Sequence, residues 1–150
     1  MNLSPHFTLA ELTYSDTAER LGINNRPGEF GQDNLRRLAD KLEQVRSILS
    51  APIIVTSGYR CAQLNRQIGS GSTSAHIRGL AADFRAPAFG TPREVAEVLA
   101  LHADELDFNQ LIYEGTWVHF ALADAGVAPR RLVLTAKFMH GTATYSKGIV

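Results

Sequence analysis

The sequence has only one cysteine, Cys61, among its 150 residues. A single thiol cannot form an internal disulfide, and it excludes metal sites built from several cysteines. Because buried cysteines usually behave as small hydrophobic side chains, we interpret Cys61 as a packed thiol rather than a nucleophile. The chemistry of this chain must therefore be sought in other side chains.

An excess charge of one sign and long apolar runs are also missing. Fifteen basic residues balance fifteen acidic ones, so no overall field favours nucleic acid as a partner. The wholly apolar runs are only a few residues long, which excludes insertion into a membrane as a helical span. The opening MNLSPHFTLAEL lacks the pattern of a signal peptide. We therefore expect a protein that is made in the cytoplasm.

What is present is an ordinary globular composition, 45% hydrophobic and 20% charged. A chain of this length fits one domain with a real core. We predict a single α+β domain over residues 1–150, with a small central antiparallel sheet flanked by helices. Residues 1–50 are predicted to be mainly helical, residues 53–121 to carry the core motifs, and residues 139–150 to form a loose tail.

Capping signals and periodicity predict the main elements. Thr8 and Glu11 have the spacing of a capping box, and leucine and valine recur at helical steps over about 32–49. A further helix is predicted to begin at Thr91. The stretches IIVTSGYR, LAADFRA and RLVLTAKF predict strands, the first of them buried. NQLIYE and WVHFAL, separated by Gly115 and a threonine, predict a hairpin.

Two histidines and an aspartate lie in otherwise small and apolar surroundings. His76 and Asp83 are seven positions apart in STSAHIRGLAADF, and His119 lies in WVHFAL. Each has an ordinary explanation when taken alone, as a turn cap, a strand-end charge or a hydrogen-bonded core histidine. Together, two imidazoles and a carboxylate with one open position form the ligand set of a catalytic zinc site. Zinc there would lower the pKa of water and polarise a carbonyl.

The ordered pieces SGYR, SAHxxGxAxD and WVH resemble the D-Ala-D-Ala carboxypeptidase and endolysin family of zinc peptidases, often called M15. The motif S-x-H-x(6)-D with a later W-x-H matches at Ser74–His76, Asp83 and Trp117–His119. The resemblance covers roughly residues 53–121, and FTLAEL and GINNRP are similar to phage and prophage members. It implies the fold that this family shares with the signalling domain of hedgehog proteins.

The resemblance also implies roles for individual residues. His76, Asp83 and His119 would hold one zinc ion per chain. Arg60 in SGYR would pair with a substrate carboxylate or hold the carbonyl oxygen, which suits the donor fork of a guanidinium. Ser74 is expected either to hydrogen-bond the substrate or a ligand, or to shape its loop.

Such a peptidase needs a carboxylate as general base. In many relatives a glutamate lies three residues before the last histidine, but Thr116 occupies that place here. Other phage-type relatives carry an I-x-E that resembles the stretch ending at Glu114, so we expect Glu114 to be the base. The alternatives are Asp107, Asp124 or no base at all, with Glu114 an exposed hairpin charge.

The remaining aromatic and histidine candidates carry less information. Tyr59 and Trp117 flank the expected site and are interpreted either as walls of a substrate cleft or as core packing. His102 is expected to have a structural role at a helix end. His6 and His140 lie in terminal segments and are expected to be solvated.

These observations predict a zinc metallopeptidase that hydrolyses amide bonds in peptidoglycan stem peptides. It would be a D-Ala-D-Ala carboxypeptidase or an endopeptidase for L-Ala-D-Glu or cross-link bonds. We expect a monomer that acts on the bacterial cell wall as a phage endolysin or virion-associated enzyme. The alternatives are a catalytically inactive, zinc-stabilised module that binds wall peptides or another protein, and a metal-free phage structural protein.

Overall fold

A computed structural model describes residues 1–150 as six helices and eight strands. The helices are α1 Leu9–Thr13, α2 Asp16–Leu21, α3 Glu29–Leu49, α4 Ala62–Ile68, α5 Pro92–Leu101 and α6 Ala103–Leu106. The strands are β1 Asn2–Ser4, β2 Phe7–Thr8, β3 Ile54–Ser57, β4 Ala81–Arg85, β5 Gln110–Tyr113, β6 Val118–Ala121, β7 Leu132–Met139 and β8 Thr142–Lys147. A short 3-10 helix spans Ala75–Arg78.

The helices follow the signals in the sequence. The capping boxes at Thr8 and Thr91 both form, and the glutamate three residues later bonds back to each cap. The predicted apolar stripe of α3 is buried against the sheet. Its members are Leu35, Leu38, Leu42, Val45 and Leu49. This confirms an α+β fold in which helices cover the sheet, and no helix is both long and apolar enough to cross a bilayer.

Six strands form the central sheet in the order β3-β4-β6-β5-β7-β8. The predicted β5–β6 hairpin forms, and the sheet is antiparallel as predicted except that β7 pairs with β5 in parallel. After β6 the chain crosses to the other side of β5 before β7 begins. There β7 runs opposite to β6 and therefore in the same direction as β5. Strand β3 was predicted to be buried, but it lies at the sheet edge, where Ile54 is 46% exposed.

The C-terminal segment, expected to be a loose tail, contains strand β8. It pairs antiparallel with β7, from Leu134 opposite Lys147 to Met139 opposite Thr142. The Thr135 hydroxyl donates to the Gly148 carbonyl and accepts from the Val150 amide. Because the side chains of β8 are mostly exposed, no apolar alternation marks this strand in the sequence.

Gly58 follows β3 at a point where the backbone packs against α1. A Cβ atom there would lie 2.2 Å from the Leu12 carbonyl oxygen. The next residue, Tyr59, donates its amide to that same oxygen at 2.8 Å. The N-terminal helix therefore fixes the course of the chain between β3 and α4.

We expect Gly58→Ala to lower the free energy of unfolding by about 3 kcal/mol, at the upper end for overpacking, because the clash is with backbone. Denaturant unfolding measures this. The matched control is Gly71→Ala, because a Cβ atom at Gly71 meets nothing within 4 Å. Equal stability of both variants and the unsubstituted protein would contradict the close packing of Gly58 against Leu12.

Candidate metal centre

The register of the central sheet brings Asp83 and His119 together. The two residues are directly paired between β4 and β6, and such pairs project from the same face of a sheet. Nδ1 of His119 lies 2.9 Å from Oδ1 of Asp83. The predicted pair, 36 positions apart in the sequence, is thus adjacent in the fold.

His76 reaches the same carboxylate from the 3-10 helix. Its Nε2 lies 3.4 Å from Oδ1 of Asp83, and the residue is only 2% exposed. The Ser74 hydroxyl accepts a hydrogen bond from the His76 amide and so caps this turn. Gly79 ends it at φ +74°, where a Cβ atom would lie 2.7 Å from the Gly31 carbonyl oxygen. The position of His76 is therefore set by a capped and closely packed turn.

The other ring nitrogen of His76 defines its tautomer. Nδ1–H donates to the Gly58 carbonyl at 2.7 Å, and a carbonyl oxygen can only accept. In the neutral ring, Nε2 therefore carries the lone pair and faces Asp83. A histidine held through one nitrogen by a backbone carbonyl, with the other nitrogen free, is the usual arrangement of a metal ligand.

The donor set of this cluster fits zinc. One ligand atom from each of His76, Asp83 and His119 lies within 4.8 Å of the other two. Burial alone would raise the pKa of Asp83, but the hydrogen bonds and charges of the two imidazoles hold that pKa well below its usual range. Asp83 is therefore a carboxylate, as metal binding requires.

Glu114 lies in the loop between β5 and β6 and lines the same cleft. Its Oε2 accepts the indole N–H of Trp117 at 2.6 Å. Burial raises the pKa of Glu114 above its ordinary value, and the charge of Asp83 adds to this, against the opposing effects of His119, the indole bond and Arg60. A carboxylate with a raised pKa in the same cleft as the candidate metal ligands suits a general base.

Arg60 completes the charged part of the cleft. Its amide donates to the His76 carbonyl at 3.1 Å, so its backbone is tied to the turn of His76. Burial lowers the pKa of the guanidinium, whereas Asp83 and Glu114 act in the opposite direction. Its Nε is buried without a hydrogen-bond partner, which leaves a donor for a ligand group.

The cleft has a volume of about 760 Å³ and contains most of the predicted site residues. Ser74 and Trp117 line it, but Tyr59 does not. The Tyr59 ring packs against the core beside Gly31, so of the two interpretations the structure favours core packing. Phe138 and Tyr145, which no sequence pattern marked as site residues, also line the cleft. For Phe138, the one indication in the sequence is the alternation of side chains along the strand RLVLTAKF, which places it on one face of the sheet.

The alternative carboxylates lie elsewhere. Asp107 is paired with Arg131 at 2.8 Å and Asp124 with Arg78 at 3.2 Å, and neither aspartate lines the cleft. Thus Glu114 and Asp83 are the carboxylates that face the cleft.

The remaining histidines and the cysteine lie outside this cluster. His102 donates Nδ1–H to the Val98 carbonyl at its helix end, and His6 pairs with Glu43. His140 is in the exposed turn between β7 and β8. Cys61 is half-buried and caps α4, where its sulfur accepts the Leu64 amide.

The fold and the cluster define a class: an α+β domain with a His-Asp-His site in an open cleft. Comparison with protein families gives the particular group, because residues 5–121 match the family described as Peptidase M15. The chain belongs to the peptidase M15 family. No curated protein matches it.

We expect His119→Ala to weaken zinc binding by on the order of 10²-fold or more, since loss of a mere outer partner of a zinc ligand already costs about 10–100-fold. Isothermal titration of the metal-free protein measures this. His102→Ala is the control, because that imidazole is held at a helix end, and it should bind zinc as the unsubstituted protein does. Equal affinity in all three proteins would place the zinc site elsewhere.

Proposed function

We propose that this chain is a zinc metallopeptidase that hydrolyses amide bonds in peptidoglycan stem peptides. Membership of the peptidase M15 family supports peptide hydrolysis. The observation that carries the proposal is the convergence of His76, Asp83 and His119 with Glu114 and Arg60 in one cleft. These side chains supply a metal ligand set, a base and a cation within a single substrate-sized space.

His76, Asp83 and His119 would hold the zinc ion. Zinc in such a site supplies Lewis acidity, which polarises a carbonyl and makes water easier to deprotonate. The Gly58 carbonyl keeps the His76 ring in the tautomer that metal binding needs. The ionised Asp83 offsets part of the positive charge that the cleft would then contain.

Glu114 and Arg60 act on the substrate and the attacking water. Glu114 takes a proton from the water, which its raised pKa favours, and then passes that proton to the leaving amine. Arg60, with an unpaired Nε, donates to a substrate carboxylate or to the carbonyl oxygen as negative charge develops there. Water attacks the amide directly, so no acyl-enzyme forms.

The biological context that we propose is lysis of the bacterial cell wall, as a phage endolysin or virion-associated enzyme. The similarity of the N-terminal segment and of the I-x-E stretch to phage-type members supports this context. The scissile bond is either D-Ala-D-Ala or a bond within the stem or cross-link.

We expect Glu114→Gln to lower kcat by about 10²–10⁴-fold while zinc binding is retained, because the amide cannot accept the proton. Release of free amines from purified peptidoglycan measures this, with a chelated sample and the same sample restored with zinc. Asp107→Asn is the matched control, because that carboxylate is paired with Arg131 outside the cleft.

Each other result has a distinct meaning. Zinc bound without amine release in the unsubstituted protein would favour an inactive wall- or protein-binding module. Full activity in Glu114→Gln would keep the peptidase and exclude Glu114 as its base.

We expect Trp117→Phe to move the acid limb of the kcat/KM profile to higher pH. The indole N–H bonds to the ionised form of Glu114 and so lowers its pKa. Without this bond the pKa rises, and because the base works ionised, activity is lost at a higher pH on acidification. The position of the limb is measured, since its height also depends on substrate contacts. If the acid limb does not shift, Glu114 is not the group whose ionisation sets it, and its role as the general base is contradicted.

A further inference from the structure

The hairpin of β7 and β8 adds an aromatic surface to the cleft. Phe138 is 53% exposed and Tyr145 is 54% exposed, yet both line the space that contains the candidate metal centre. The ring of Phe138 lies 6.4 Å from that of Trp117, tilted by 37°. Both hairpin residues follow the region that matches the family, residues 5–121.

The sheet register explains why these aromatics face the metal centre. Pairing across five strands places one residue of each in a single row: Asp83, His119, Ile112, Leu134 and Lys147. Paired residues share a face, as do alternate residues of one strand. Phe138 is four positions after Leu134, and Tyr145 is two before Lys147, so both project on the same side as the metal ligands.

Small side chains lie between the aromatic rings of the hairpin, beside the cleft. Tyr145 pairs with Ala136, and Phe138 pairs with Ala143, so small side chains lie opposite the large ones. Strand β8 is three strands away from β6, which is about 14 Å at the usual strand spacing. A group bound there belongs to a part of the substrate that is remote from the bond being cleaved.

We propose that Trp117, Phe138 and Tyr145 form an aromatic platform that binds sugar rings of the peptidoglycan glycan strand. This inference rests on the proposed function, because it assigns the substrate a glycan part. The platform makes the enzyme prefer stem peptides that are still attached to sugar over free peptides.

The chemistry of the platform favours a sugar over more peptide. Its three aromatic residues carry no charge, whereas stem peptides present carboxylates and amines, for which the cleft offers Arg60 and Glu114. A pyranose ring has an apolar C–H face that can lie on an aromatic ring, with hydroxyls at its rim. The Tyr145 hydroxyl and the free backbone edge of β8 provide hydrogen-bonding groups for such a rim. An exposed apolar surface with polar groups beside a cleft is typical of a ligand site.

Binding can be measured without hydrolysis, because Trp117 is the only tryptophan in the chain. Titration with the peptide-free disaccharide of N-acetylglucosamine and N-acetylmuramic acid should change its fluorescence in a saturable way. Tyr145→Ala should weaken this binding by about tenfold, as expected for loss of one stacked ring. Met139→Ala is the control, since Met139 is 64% exposed on the opposite face of β7 and should leave the affinity unchanged.

Hydrolysis then separates this inference from the proposed function. The ratio of kcat/KM for a disaccharide-linked stem peptide to that for the free peptide should exceed one and fall about tenfold in Tyr145→Ala, through KM. Saturable disaccharide binding without amine release would support the platform while the peptidase proposal fails. Amine release with no response to the disaccharide, or equal binding by Tyr145→Ala and the unsubstituted protein, would overturn the platform.

Discussion

The candidate site depends on the register between β4 and β6. Asp83 faces His119 only in the observed pairing, and a slip of one residue would turn one of them to the other side of the sheet. Val118 and Phe120, on either side of His119, are fully buried. Burial of two such side chains is worth about 1.5–3 kcal/mol each. Core packing on one face of the sheet therefore fixes the candidate metal ligands on the other.

The second constraint is the backbone that receives His76. The almost fully buried imidazole donates its Nδ1–H to the Gly58 carbonyl, which leaves the Nε2 lone pair facing the site beside Asp83. Gly58 is held in turn by α1, because it packs closely against Leu12 and the neighbouring Tyr59 amide donates a hydrogen bond to the Leu12 carbonyl. The N-terminal helices are therefore part of the site, although none of them lines the cleft.

Local signals account for what the sequence predicted well. Capping boxes and the apolar stripe of α3 act within a few turns of the chain, so they specify helices without tertiary information. The candidate metal ligands could be predicted because two histidines and an aspartate, in motif segments far apart in the sequence, together match the ligand set of a zinc site. Other features depend on contacts between segments that are far apart in the sequence, and local patterns do not reveal them. These are the parallel β5–β7 pairing, strand β8 and the orientation of Tyr59. No residue pattern in β8 marks it, because its pairing is made by backbone and its side chains are exposed.

Trp117 joins the two halves of the cleft. Its indole N–H bonds to Glu114, while its ring lies near that of Phe138 on the β7–β8 hairpin. The loop between β5 and β6 holds it there, since the Glu114 amide donates to the Trp117 carbonyl at 3.0 Å. A ligand stacked on Trp117 would restrict the indole and thereby keep the hydrogen bond that favours the ionised base. The proposed binding of substrate on the aromatic platform and the proposed proton transfer at Glu114 thus involve one shared side chain, Trp117. This side chain would link the β7–β8 hairpin, which lies beyond the family match, to the chemistry.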